Sequence, residues 1–356
     1  MTHILDIFAE RSPDILARAH NFLESQKHSL GPVNVWAVDA LERMQTFMQR
    51  GKCIRGNLAL LGAEIGGAPL STGLYDAAAA LELFQSSILI HDDIIDQDAL
   101  RRGQETLHTQ YTRTVQPSVP PSHAEHVGIS LAICLADMGF NLTYTLLASA
   151  DLPPAAVRSL TAFWGVEFAK VGLAEMDDVF LAHSSEPAAL ERILALYRFK
   201  TARYTFCVPL LSGLIIANAP AALQNAMEEL SELLGLIFQI KDDELGIFGD
   251  ETALGKPVGS DIRENKKTIF HHYLFTACTC SPNNDITACF GNDSLDDNDI
   301  QRVRDFLTDS GIRAAVDTRI TGYSNRARDL INSLSLSSEL KTLLLQLIHY
   351  NLTRTT

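Results

Sequence analysis

The chain has 356 residues, 46% of them hydrophobic and 20% charged, and a formal charge of −14. That balance describes an ordered globular protein with room for one large core or two ordinary domains. The negative charge disfavours nucleic acid as a partner, since phosphate backbones select basic surfaces.

Met1 to Glu10 carries acids and no long apolar run, which argues against a secretory signal. No charge-free apolar run reaches the ~18 residues of a membrane span, so none is expected. The cysteines Cys53, Cys134, Cys207, Cys278, Cys280 and Cys289 form no paired C-x-x-C, which argues against a zinc site. Most sit among apolar neighbours, as reduced core thiols do, and fit a cytoplasmic protein.

Apolar residues recur every three or four positions almost throughout, and strand-like alternation is scarce. The spacing predicts helices over 14–27, 35–50, 54–66, 72–98, 125–149, 154–182, 188–217, 221–248, 265–279, 299–309, 311–333 and 336–351. Ser71 and the Pro153-Pro154 pair supply helix starts. Residues 112–122, with Pro117, Pro120 and Pro121, read as a loop, and so does the Asn-, Asp- and Ser-rich stretch 281–299. Helices of one kind continue past both loops, so a single all-α domain over residues 1–356 is expected.

Two acidic clusters interrupt the apolar helices: His91-Asp92-Asp93-Ile94-Ile95-Asp96 and Phe238-Gln239-Ile240-Lys241-Asp242-Asp243-Glu244. Carboxylates on such segments cost free energy unless neutralised, and Mg²⁺ with a phosphate group is a fitting neutraliser. Asp92 and Asp96 are one helical turn apart, and Gln85 falls close to the same line. Gln239, Asp242, Asp243 and Gly246 form a similar stripe, with Glu244 pointing elsewhere.

Cations accompany each cluster. Arg101 and Arg102 follow the first and offer planar forks suited to phosphate oxygens, or to pairing with Asp96 and Asp98. Gly51-Lys52-Cys53-Ile54-Arg55 places two cations where a helix begins, a position that favours anions. Lys200-Thr201 lies inside an apolar helix, and Lys256 and Lys266 lie in a Gly- and Lys-rich stretch after the second cluster.

Six motifs in this order resemble those of the trans-isoprenyl diphosphate synthases, or polyprenyl synthetases, over roughly residues 50–270. HDDIIDQDALRRG is similar to that family's first aspartate-rich motif and FQIKDDELG to its second. The resemblance implies an isoprenoid-synthase-type helical bundle around a deep central cavity, usually a homodimer, with three Mg²⁺ ions bridging carboxylates to an allylic diphosphate. It implies that Asp92, Asp96 and Asp242 bind metal, supported by Asp93 and Asp243. Arg101, Lys200, Thr201, Gln239, Lys256 and Lys266 would contact the allylic diphosphate. Lys52, Arg55, Gln85 and Arg102 would hold isopentenyl diphosphate, with Gly51 shaping that pocket.

The chain departs from the pattern at Cys53 and Gly56, where many relatives carry a basic residue and a proline, and at Gly246, which stands in place of a third aspartate. Gly172-Leu173-Ala174-Glu175 replaces the usual Gly-Gln pair, with Asp177 and Asp178 as accessory acids. Relatives that stop at C15 often carry aromatics where this chain has Ser87 and Ile88, while Phe84 lies one turn deeper. A C20 product, geranylgeranyl diphosphate, fits best. A C15 or C25-and-longer product, a class I terpene cyclase and a non-catalytic partner subunit are the rival readings.

Overall fold

The computed structural model describes residues 3–184, 186–249, 259–278, 284–292 and 294–354. The helices are α1 (Ile4–Leu30), α2 (Ala37–Met48), α3 (Ile54–Ile65), α4 (Thr72–Ile95), α5 (Leu107–Val115), α6 (Pro121–Ser149), α7 (Pro154–His183), α8 (Leu190–Leu196), α9 (Val208–Ile216) and α10 (Ala221–Phe248). They continue as α11 (Ser260–Arg263), α12 (Ile269–Cys278), α13 (Asn284–Thr287), α14 (Asp297–Asp309), α15 (Ile312–Ser333) and α16 (Ser338–Thr353). Among the described residues the sole sheet is a hairpin of β1 (Leu100–Arg101) and β2 (Gln104–Glu105). The all-α expectation is met.

Contacts divide the chain into two compact units. One holds residues 1–163 and 209–219, the other residues 164–208 and 220–356.

In the first unit α4 is apolar nearly all round, with Leu74, Ala77 to Leu81 and Leu83 all buried, as expected of a helix enclosed by others. Ser71 caps its start by accepting the Leu74 N–H at 3.3 Å. α6 is long and apolar enough to cross a membrane by length and composition. Asp137 interrupts it, and its Gly128, Ala132, Leu135, Gly139 and Leu142 are buried in contact with α4 and α5. A Cβ added at Gly139 would lie 2.1 Å from Ser87 Oγ, so glycine there is what lets α6 approach α4 so closely.

In the second unit α10 carries the second acidic cluster and packs on the neighbouring helical segments, including α15 and α16. Residues Tyr197–Cys207 form a π-helical stretch between α8 and α9. Pro209 lacks the N–H that would bond Thr205 in an α-helix, which favours the wider register over the preceding turn. Arg203 pins this stretch through ion pairs to Glu167 on α7 (2.7 Å) and to Glu228 and Glu232 on α10 (2.7 and 2.8 Å).

Three local features differ from the expected elements. α1 begins at Ile4 and runs through Pro13, where a helix start was expected. The hairpin and the start of α5 fall on residues given no element, and α5 runs into the stretch 112–122 expected to be a loop. α13 forms inside the stretch 281–299.

Candidate active site

The first acidic cluster closes α4. The Asp96 N–H bonds back to the Asp92 carbonyl, and Gln97 takes a left-handed conformation (φ 56°) that ends the helix. The chain then turns through Arg102 (φ 52°) and Gly103 (φ 73°), consecutive positive-φ residues of the kind a tight two-residue hairpin uses. This turn returns Arg101 to the end of α4. Its guanidinium bonds Asp92 at 3.0 Å and pairs with Asp93 as well. Asp98 also acts on Arg101 through its charge.

Asp93 is fully buried. Burial pushes its carboxyl up to about 6 in spite of Arg101, and one of its oxygens has no hydrogen-bond partner. Desolvation first, and then the like charge of Arg101, lower the pKa of Arg102. A cation under such pressure favours an incoming anion. A cavity of about 190 Å³ opens beside this hairpin, lined by Phe47, Arg50, Arg101, Arg102 and Gln104 among others.

Lys52, exposed, and Arg55 flank the start of α3, where Cys53 adopts φ 49° and is itself buried. The start is held by a residue that sequence reasoning missed. Glu82, buried on α4, accepts the Gly56 N–H at 2.7 Å and also engages the Arg55 backbone. Its burial raises its pKa, while those amides and the charges of Arg55 and Arg102 oppose the rise. The available signal was an acid alone in the apolar run Leu81-Glu82-Leu83-Phe84. Gln85 and Asp96 are half-buried. Of five non-glycine residues with positive φ among those described, Cys53, Gln97 and Arg102 border this cationic region. Strain of that kind collects at binding sites.

Phe84 is buried and packs against Phe140 of α6, with the rings tilted by 45° and their centroids 5.0 Å apart, and His91 meets the same ring edge-on at 5.4 Å. Ser87 is fully buried against Gly139, while Ile88 is half-buried. The missing bulk at Ser87 is therefore taken up by close helix packing.

In the second unit a directed chain of hydrogen bonds organises the second cluster. Thr201 Oγ1 donates to Gln239 Oε1 at 2.6 Å, which turns the Gln239 amide nitrogen to Asp243 Oδ1 at 2.9 Å. The other Asp243 oxygen accepts from Tyr197, whose own oxygen accepts the Ile269 N–H at 2.8 Å. Tyr197 thereby ties the Lys200-Thr201 stretch, the acidic cluster and the start of α12 together. Burial, then the nearby Asp261, raise the Asp243 pKa, against the pull of its two donors. Replacing Tyr197 with Phe should cost about 1–3 kcal/mol in urea unfolding, because a buried N–H and a buried carboxylate each lose a partner.

Asp242 has half its side chain exposed and pairs with Arg354 just beyond α16. That arginine also lies 3.8 Å from the Phe238 ring centroid. Lys200 bonds Glu175 (2.8 Å) and Asp178 (2.5 Å), whereas Asp177 bonds Arg192 at 3.1 Å. Lys266 bonds Glu264 at 3.1 Å. Glu244 is engaged by Lys241 and Arg313, in keeping with its expected position off the stripe. Lys256 lies outside the described residues.

Among the described residues no three metal-ligating side chains converge on a ready cage. Several candidate acids are instead held by Arg101, Arg354 and Tyr197. The donors are nevertheless oxygen-only, as hard cations require, and magnesium habitually completes its shell with water and substrate phosphate.

Residues 39–307 match the family model described as polyprenyl synthetase. The chain is 30% identical over 265 residues to a geranylgeranyl diphosphate synthase of Saccharolobus solfataricus, covering 74% of this chain and 75% of that one. It is 28% identical over 304 residues to a geranylfarnesyl diphosphate synthase of Aeropyrum pernix, covering 84% and 89%. Its fold is similar to that of geranylgeranyl pyrophosphate synthase from Corynebacterium glutamicum, solved with isoprenyl diphosphate and magnesium. That match has a TM-score of 0.89 at 29% identity and covers 98% and 99% of the two chains.

Proposed function

The chain belongs to the polyprenyl synthetase family, and from that membership we propose a trans-prenyltransferase that joins isopentenyl diphosphate to allylic diphosphates and makes geranylgeranyl diphosphate. The observation that carries the C20 assignment is the Phe84–Phe140 ring contact one turn below Ser87 on α4. It offers an aromatic stop deeper than position 87 or 88 would. The test is incubation with isopentenyl diphosphate, each of the C5, C10 and C15 starters, and Mg²⁺, followed by chromatography of the dephosphorylated products. A C20 alcohol is the expected main product; a C15 ceiling refutes the assignment.

Asp92, Asp96 and Asp242 are the residues to hold magnesium, three ions by family likeness, with Asp93 and Asp243 behind them. Bound magnesium would offset negative charge on the leaving diphosphate. Lys200, Arg101, Thr201, Gln239, Lys256 and Lys266 would contact that diphosphate, the cations exchanging carboxylate partners for phosphate oxygens. Lys52, Arg55, Gln85 and Arg102, with Gly51, would hold isopentenyl diphosphate so that its double bond meets the allylic carbon. The allylic C–O bond breaks, a C–C bond forms, and a proton leaves to the released diphosphate.

The partner proposed for the chain itself is a second copy. Support comes from α7, whose outer face exposes Val166, Leu173, Met176 and Phe180. Gly165 and Gly172 on that helix have open space around them. The exposed positions Ala162, Gly165, Val166, Ala169, Gly172, Leu173 and Met176 are all uncharged, a small-residue and apolar row suited to close helix approach. Leu173→Glu should convert a dimer to monomer in sedimentation velocity; an unchanged dimer would place the interface elsewhere.

A further inference from the structure

α3 starts without a cap of its own. Its N-cap residue, Cys53, has a left-handed backbone (φ 49°, ψ 34°), and its thiol is buried and bonds none of the helix amides. The first N–H groups of a helix need outside acceptors, and a capping side chain usually serves the second or third of them. Those two belong to Arg55 and Gly56, and Glu82 serves both from α4. Its Oε1 accepts the Gly56 N–H at 2.7 Å, and its carboxylate accepts the Arg55 N–H as well. Oε2 of the same acid lies 4.0 Å from the place of a Cβ on Gly51, so Glu82 stands beside both ends of the 51–56 loop. α1 holds the same loop: Asn57 Nδ2 donates to the Cys53 carbonyl at 2.8 Å and to Ser12 Oγ of α1 at 3.0 Å.

We propose that Glu82 is a positioning residue for the isopentenyl diphosphate pocket: a cap for α3 lent by α4, which fixes the Lys52–Arg55 loop and leaves the diphosphate to side chains alone. This rests on the reading of Lys52, Arg55 and Arg102 as the cations of that pocket. A helix start offers its amides to an anion, but here two of them already face an anion of the protein's own. An incoming diphosphate aimed at those amides would meet like charge. The same carboxylate is buried at 6% exposure and lies within the electrostatic reach of Arg55 and Arg102, so its charge bears on both cations as well as on the loop backbone. The arrangement depends on glycine at 56. The proline that many relatives carry there has no N–H to give, so the Gly56–Glu82 bond belongs to chains of this kind.

The test is steady-state kinetics on the full-length protein, with isopentenyl diphosphate and an allylic diphosphate varied in turn. Glu82→Leu should raise KM for isopentenyl diphosphate about tenfold, with the allylic KM and kcat within about twofold of the parent. A second pair of variants probes the same bond without touching Glu82. Gly56→Ala adds a Cβ and keeps the N–H, whereas Gly56→Pro adds the Cβ and removes the donor. The proline variant should therefore show a KM for isopentenyl diphosphate about threefold or more above that of the alanine variant. In the Glu82→Leu background that difference should vanish, since the partner is already gone. Equal rises in both KM values, or a fall in kcat alone, would mark Glu82 as ordinary core and overturn the inference. So would a proline–alanine difference that persists without Glu82. Arg55→Leu separates the two readings. If it raises KM for isopentenyl diphosphate while Glu82→Leu does not, only the role of Glu82 falls; if it leaves that KM at the parental value, the pocket reading falls and this inference with it.

Discussion

Asp242→Ala is expected to lower kcat about 10²–10³-fold, the loss typical when one group stabilising transition-state charge is removed, with little change in helical content. Asp242 is half exposed, but the side chain of its partner Arg354 is only 7% exposed, so the variant leaves a mostly buried guanidinium without its counter-ion and should also melt below the parent. Asp92→Ala should lower kcat in the same way at less cost in stability, since Arg101 keeps Asp93 as a partner when Asp92 is gone. Kinetics across a magnesium titration, beside thermal melts, separate the two effects. A variant that keeps near-parental rates removes that residue from the metal set.

The second large effect is on product length. Phe84→Ala should move the main product from C20 to C25 or longer, because the deleted ring is roughly the bulk of one isoprene unit. Phe140→Ala should move it in the same direction, since the two rings lie against each other. Stability should fall by about 3–5 kcal/mol, the usual cost of emptying a buried Phe site, so assays belong well below the melting temperature. An unchanged C20 product in both variants would show that the ring pair is ordinary core. An aromatic at Ser87, by contrast, meets the α6 backbone at Gly139 directly and should unfold the protein before it shortens anything.

The helices were legible because their apolar spacing persists for many turns, and most boundaries fell within a few residues. α5 escaped because it is nine residues long and followed by prolines, and the hairpin because two-residue strands carry no alternation to detect. The acidic clusters and Lys200-Thr201 were legible as polar groups set into apolar runs. Their partners were not. Tyr197 looks like one more aromatic on a helix and Glu82 like one more acid. Each is assigned by what it touches 26 or more residues away, as with Gly56 N and Glu82 or Asp243 and Tyr197. One-dimensional spacing holds no record of such meetings.

The grip of Arg354 on Asp242 has a practical corollary for anyone handling the protein. A purification tag joined after this arginine, or exopeptidase trimming that removes it, would alter the counter-ion of a proposed metal ligand. Two preparations identical in every helix could then demand different magnesium concentrations for half-maximal rate, and comparisons between them should be made on chains with matched C-terminal ends.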